Sequence, residues 1–137
     1  MNYLGTDATA GPLPTRPLGS TGAEVPIVGF GAIAILSPSI VDAADPQAAA
    51  NDCVKQAVEA GFTYFDIGPA YGGGRAEALL GPALVPFRER CFIAQKTLKR
   101  DGAEATAELE ASLKTMQTDH FGASPHPPAA PTAPRCP

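Results

Sequence analysis

Apolar residues recur along the chain in two alternating rhythms. Short apolar runs at Ile27–Ala32, Phe62–Ile67 and Cys91–Lys96 are rich in aromatic and β-branched residues and read as buried strands. Between them the spacing shifts to steps of three and four. Ala50, Cys53, Val54, Ala57 and Val58 form one stripe, predicting a helix that starts at Asp45-Pro46 and stops at Gly61. A second helix fits Arg75–Leu84, with Gly81-Pro82 expected to interrupt it. A third begins at Asp101, where Glu104 three residues on makes a capping-box pattern, and carries Ala105, Leu109, Leu113 and Met116 on its inner face.

Upstream, Pro17–Val25 forms two extended pieces around a Ser20-Thr21-Gly22 turn and predicts a small hairpin. Downstream, Thr118–Phe121 reads as the opening of a fourth strand that does not develop. Strands alternating with helices over short turns imply an α/β fold with a parallel sheet, either a closed barrel or an open doubly wound sheet. The rhythm leaves that choice open. It fails at both ends. Residues 1–15 are small, polar and proline-bearing and read as a loose leader, and residues 122–137 hold no aliphatic residue larger than alanine, predicting a Pro/Ala-rich tail outside any core.

Composition narrows the setting. With 45% hydrophobic and 18% charged residues, the 137-residue chain suits one packed domain. Fourteen acidic against ten scattered basic residues give a net charge of −4, which argues against nucleic acid and anionic membranes. The longest nearly apolar stretch, Val25–Leu36, falls short of the roughly 20 residues of a membrane span. No basic start precedes an apolar core, so secretion is not expected. Cys53, Cys91 and Cys136 fit neither a zinc site nor a disulfide framework, and a reducing cytoplasm is the expected home.

Chemistry concentrates at two strand ends. Asp66 closes the second strand and Lys96 the third, each the sole charge of its run. On parallel neighbours about 4.8 Å apart the two ends sit side by side, at the edge where α/β folds build sites. Tyr71 lies five residues past Asp66 in a loop containing Gly68, Pro69 and Gly72–Gly74, from which it can fold back over that edge. A phenol titrates near 10, roughly three units above neutrality. An adjacent lysine cation favours the phenolate while an aspartate keeps the lysine charged, making Tyr71, Lys96 and Asp66 a candidate proton donor to a carbonyl oxygen.

Other motifs carry less. Gly29-Phe30-Gly31-Ala32-Ile33-Ala34 matches a dinucleotide fingerprint, but running into Ser37-Pro38 it is not expected to open the helix that a phosphate site needs. Gly72–Gly74 lacks the ending of a P-loop. His120 and His126 have no ligand-spaced partners and are expected to be solvated.

Several of these segments together resemble the aldo-keto reductases. Arg16–Gly22 followed by Val28–Gly31 is similar to that family's opening hairpin and first barrel strand. Ala60–Asp66 with Ala70-Tyr71-Gly72 resembles its second strand and catalytic tyrosine loop, Leu79–Leu84 its second helix, Ile93–Thr97 its third strand, and Ser112–Asp119 the approach to its fourth. The match covers about residues 15–121. The resemblance implies an incomplete (β/α)₈ TIM barrel over residues 16–121, made of the hairpin and the first three to four β/α units. It also implies NADP(H)-dependent reduction of a small aldehyde or ketone, with Asp66, Tyr71 and Lys96 catalytic and Gly31 and Asp66 at the cofactor.

The family's fourth catalytic residue, a histidine ending the fourth strand, is not carried over. His126 falls near its place, but its Ser-Pro-His-Pro-Pro surroundings cannot form that strand. A barrel of this kind takes about 250 residues. The expectation is therefore a truncated chain without activity of its own, its tail the product of a reading-frame shift or gene fragmentation. The competing expectations are a small α/β interaction module that binds no cofactor and an open Rossmann sheet.

Overall fold

The computed structural model describes residues 13–122. Most of the expected leader, nearly all of the expected tail, Cys136 and His126 lie outside them. A hairpin comes first, β1 (Thr15–Pro17) antiparallel to β2 (Glu24–Pro26), with Arg16 opposite Val25. Next come β3 (Phe30–Gly31), a 3₁₀ turn (Ala32–Leu36), α1 (Pro38–Val41), α2 (Pro46–Glu59) and β4 (Tyr64–Asp66). A turn at Tyr71–Gly74 leads into α3 (Arg75–Leu84), a 3₁₀ segment (Val85–Arg90), β5 (Phe92–Ala94) and α4 (Gly102–Thr115).

Three strands form one parallel sheet in the order β3-β4-β5. Phe65 lies opposite Phe30 and Ile93, and Asp66 opposite Gly31 and Ala94. Because side chains alternate across a strand, these two rows face opposite ways. The Phe65 row is sealed: Phe65, Ile67 and Ile93 are at most 1% exposed, in a core shared with Ala50, Val54 and Val58 of α2 and Leu79, Leu80 and Leu84 of α3. The other row holds Tyr64, Asp66, Phe92 and Ala94, which are only half-buried, although Tyr64 and Phe92 stack with ring centres 5.2 Å apart. Among the described residues the sheet does not close, so one face has its helices and the other has nothing laid over it.

The helix starts follow their caps. Asp45 accepts from the Ala48 amide at 2.9 Å, and Pro46 occupies the first turn of α2, where its missing N–H costs nothing. Asp101 accepts from the amides of Ala103 and Glu104. Only that half of the expected box forms, because Glu104 turns to Lys99 instead, 3.9 Å away.

Five expectations need correction. The strand expected over Ile27–Ala32 shrinks to Phe30–Gly31. Ala32 and Ile35, both fully buried, stand three apart, which is the period of the 3₁₀ turn that replaces it. For the same reason the segment after Gly31 does turn helical, and Pro38, expected to prevent this, starts α1. Gly81-Pro82 does not interrupt α3, since burial of Leu79, Leu80, Ala83 and Leu84 outweighs the roughly 3 kcal/mol a helical proline costs. On α4 only Met116 of the expected stripe is buried, while Leu109 is 44% exposed beside the uncovered sheet edge.

The segment leading to Gly122 meets the sheet by one isolated antiparallel bridge, Ile93 to Gly122, rather than as a further parallel strand. Arg88 holds it there, donating to Thr118 Oγ1 at 2.8 Å and to the carbonyls of His120 and Gly122.

Helices α3 and α4 meet at a glycine. A Cβ on Gly81 would lie 2.5 Å from Met116 Cα and 2.8 Å from the Thr115 carbonyl oxygen, so the contact is with backbone that no rotamer can move. Alanine would gain about 1 kcal/mol of helix propensity, whereas overpacking costs about 1 to 3 kcal/mol. Gly81→Ala should therefore lower the midpoint of urea unfolding; a midpoint equal to or above the wild type would contradict this packing.

Candidate active site

The parallel register places the site. Asp66 is the last residue of β4, and Lys96 leaves the chain two residues beyond Ala94, its partner on β5. Alternation puts Asp66, Ala94 and Lys96 on the same open face. Lys96 Nζ reaches Asp66 Oδ1 at 2.5 Å and also donates to the Ile67 carbonyl at 3.0 Å. Tyr71 folds back from its loop, and its hydroxyl donates to the same Asp66 oxygen at 3.2 Å. The ammonium stands 5.1 Å from the centre of the Tyr71 ring, within cation–π range. The three residues singled out by spacing thus converge on one carboxylate oxygen, while Asp66 Oδ2 accepts no hydrogen bond from the described residues.

Glycines hold the tyrosine loop. Gly72, Gly73 and Gly74 all adopt positive φ, at 58°, 63° and 92°, which other residues reach only under strain. A Cβ on Gly72 would also lie 2.6 Å from Leu36 Cδ1, so Leu36 presses against the turn that carries Tyr71. Gly31, opposite Asp66 on the open face, has no atom of the described residues, its chain neighbours aside, within 4 Å of where its Cβ would stand.

The pair is half in water, with 44% of the Lys96 side chain and 40% of the Asp66 side chain exposed. Partial desolvation pulls the Lys96 ammonium down, but its hydrogen bonds to Asp66 and Tyr71 and the negative charge of Asp66 hold it above the ordinary lysine value. Burial pushes the Cys91 thiol up to about 11, against the pull of Arg88 and Arg90, and Cys53 is raised by burial and by Asp52. Both cysteines are free.

One residue that joins the cluster escapes the reading by spacing. Glu77, in the first turn of α3, is only 4% exposed and accepts from Gln95 Nε2 at 2.6 Å, and Gln95 Oε1 in turn accepts from the Lys96 amide at 3.1 Å. A signal was present: Glu77 lies three and seven residues before the buried Leu80 and Leu84, on the apolar stripe of its helix. His120, expected in solvent, is instead three-quarters buried, with Nδ1 2.6 Å from Asp119 Oδ1 and Nε2 buried without a partner among the described residues. The bend that Arg88 clamps carries it inward.

Known proteins are similar to this chain. The aldo/keto reductase family model matches residues 28–124, well over half of the chain. The chain belongs to the aldo/keto reductase family. It is 35% identical over 114 residues to L-galactose dehydrogenase of Arabidopsis thaliana, covering 77% of this chain and 35% of that protein. It is 29% identical over 116 residues to aldo-keto reductase YhdN of Bacillus subtilis, covering 76% and 34%.

Among solved structures, the thermostable aldo-keto reductase Tm1743 in complex with the inhibitor epalrestat superposes with a TM-score of 0.67 at 32% identity, covering 80% of this chain and 40% of that one. The Klebsiella pneumoniae aldo-keto reductase in complex with NADPH gives 0.59 at 25% identity, covering 73% and 34%. The chain spans about a third of the length of these relatives. No helix among the described residues is long and apolar enough to cross a membrane.

Alkaline titration tests the burial of Cys91. An unfolded thiol loses its proton near 9.0, while the folded one keeps it to about 11. Between those values the unfolded chain binds fewer protons, so stability should fall as pH rises, by at most about 1.4 kcal/mol per pH unit. Lys96 acts in the same direction: its contribution is intact below the ordinary lysine value and is lost as pH rises through the raised one. Urea midpoints from pH 8 to 11 should fall less steeply for Cys91→Ala than for wild type. Equal slopes would mean that Cys91 is not buried.

Proposed function

We propose that this aldo/keto reductase chain supplies the proton-handling part of a carbonyl-reducing site. Tyr71 gives its proton to the oxygen of a small aldehyde or ketone, Lys96 eases that transfer with its charge, and Asp66 holds Lys96 in place. The observation that carries the reading is the single Asp66 oxygen that receives both the Lys96 ammonium and the Tyr71 hydroxyl at the C-terminal edge of parallel strands. Sites in barrels of this kind are built at that edge. The Tyr71 hydroxyl hydrogen points at Asp66 and needs only rotation about its C–O bond to meet a substrate oxygen on the open face.

The residues present fit a nicotinamide cofactor. Among the described residues nothing fills the space beside Gly31 and nothing donates to Asp66 Oδ2, which leaves that oxygen to a ribose hydroxyl, so these two residues would hold that end of NADP(H). The bound cofactor supplies the hydride. With that hydride on the carbonyl carbon, the Tyr71 proton would go to the carbonyl oxygen and complete the alcohol. The free thiols of Cys53 and Cys91 suit a cytoplasmic place of action.

Grafting tests the assignment. Residues 28–122 replace the matching segment of a full-length relative. Within that chimera, Tyr71→Phe should cost about 10² to 10⁴ in turnover with NADPH binding nearly unchanged, and Lys96→Met a comparable loss. A Tyr71→Phe chimera that keeps most of its carbonyl reduction would refute the role.

A polypeptide of these 137 residues alone should not turn over. Positioning of reactants contributes about 7 to 11 kcal/mol to such reactions, and here the face that would position them is open. The half-exposed Tyr64 and Phe92 on that face also suit the second reading, a small interaction module without cofactor. Fluorescence titration with NADPH followed by an aldehyde-dependent absorbance assay decides. Micromolar affinity with measurable turnover would overturn the expected inactivity and exclude the module.

A further inference from the structure

We propose that Glu77 is a positioning residue for Lys96 and acts through Gln95. This rests on the reading of Lys96 as the group that tunes Tyr71, and it adds a residue from outside the cluster around Asp66.

Alternation along β5 sets up the relay. The last ladder hydrogen bond at this end runs from the Ile67 amide to the Ala94 carbonyl at 3.0 Å, so the chain beyond Ala94 has no strand bond to fix it. Gln95 then turns toward the helices and Lys96 toward the open face. On the helix side, Gln95 Nε2 donates to Glu77 Oε1 at 2.6 Å; from the same amide, Oε1 accepts the Lys96 N–H at 3.1 Å. One side chain replaces the missing ladder bond and ties the lysine's backbone to the first turn of α3.

Burial argues that Glu77 is there for this purpose. It is 4% exposed on an apolar stripe where leucine would pack without desolvating a carboxylate. Hydrogen bonds to a carboxylate are about twice as strong as neutral ones, and a helix N-terminus favours a negative charge. The carboxylate therefore grips Gln95 more firmly than a neutral acceptor. With Lys96 N fixed, the side chain sets out from one place and meets both Asp66 Oδ1 and the Ile67 carbonyl. Without it, the half-exposed lysine would spread over rotamers in water and the pair would weaken.

The test reads Lys96 directly. The full 137-residue chain is trace-labelled with acetic anhydride from pH 8 to 11.5, and the acetylation of each lysine is followed by peptide mass spectrometry, with Lys55, Lys99 and Lys114 as internal references. In wild type, Lys96 should be the slowest to react at pH 9 to 10. Glu77→Leu and Gln95→Met should raise its reactivity about threefold or more, equivalent to half a pH unit, and leave the reference lysines unchanged. Glu77→Gln, whose amide oxygen still accepts from Gln95, should keep most of the wild-type behaviour.

Gln95 is only partly buried, so Gln95→Met tests the relay even if Glu77→Leu fails to fold. An unchanged Lys96 profile in a folded Gln95→Met chain would overturn the proposal. So would a parallel rise at all four lysines, which would make the effect global loosening. A Glu77→Gln chain behaving like Glu77→Leu would overturn the relay through Gln95. If wild-type Lys96 matched the other lysines, the Lys96–Asp66 reading itself would fail, separately from the relay.

Discussion

The register of β4 against β5 is the constraint from which the site follows. With Asp66 opposite Ala94, Lys96 emerges on the same face as Asp66 and within reach of it. A shift of one residue would send Lys96 into the helix layer and Gln95 into its place, because strand side chains alternate. The apolar row excludes that slip: Phe65 and Ile93 are opposite one another and sealed under α2 and α3, and a one-residue shift would turn one of them out to water at about 1.5 to 3 kcal/mol. Packing on the buried face thus fixes the chemistry of the open one.

The two faces also explain how much was legible in the sequence. Asp66, Tyr71 and Lys96 were readable because charge in an apolar run and a tyrosine in a glycine loop are local signals, and the structure brings all three together. Helices α2 and α4 were readable from their capping aspartates. Contacts between segments far apart left no local mark. Pro82 reads as a breaker until the burial around it is known, and the 3₁₀ turn at Ala32–Leu36 is held by Ala32 and Ile35 entering a core made by later segments. Glu77 was not singled out, since its partner lies eighteen residues away. Arg88 spans about thirty residues to Thr118 and His120, and no spacing rule finds such a clamp.

The half-exposed open face marks what the described residues do and do not provide. An ion pair with about two-fifths of each side chain in water is strongly screened and adds little to stability. Its geometry is nonetheless tight, which fits a pair kept for orientation. The cost of holding it falls on the helix side, where Glu77 and Gln95 commit side-chain hydrogen bonds to backbone placement.

The run of three left-handed glycines bears on how the loop opens. Each glycine surrenders more unfolded-state freedom than alanine would, about 0.4 to 1 kcal/mol apiece, so ordering Gly72–Gly74 draws about 1 to 3 kcal/mol from the domain's margin. Few alternatives exist, since a Cβ at those φ values is strained. The phenol therefore rides on a segment with a shallow free-energy well, bounded by the deep wells of β4 and α3. In native-state hydrogen exchange, amides in that turn would exchange through local opening, well before those of Phe65 or Leu80. A phenol mounted on such a hinge can swing while the carboxylate beneath it stays fixed.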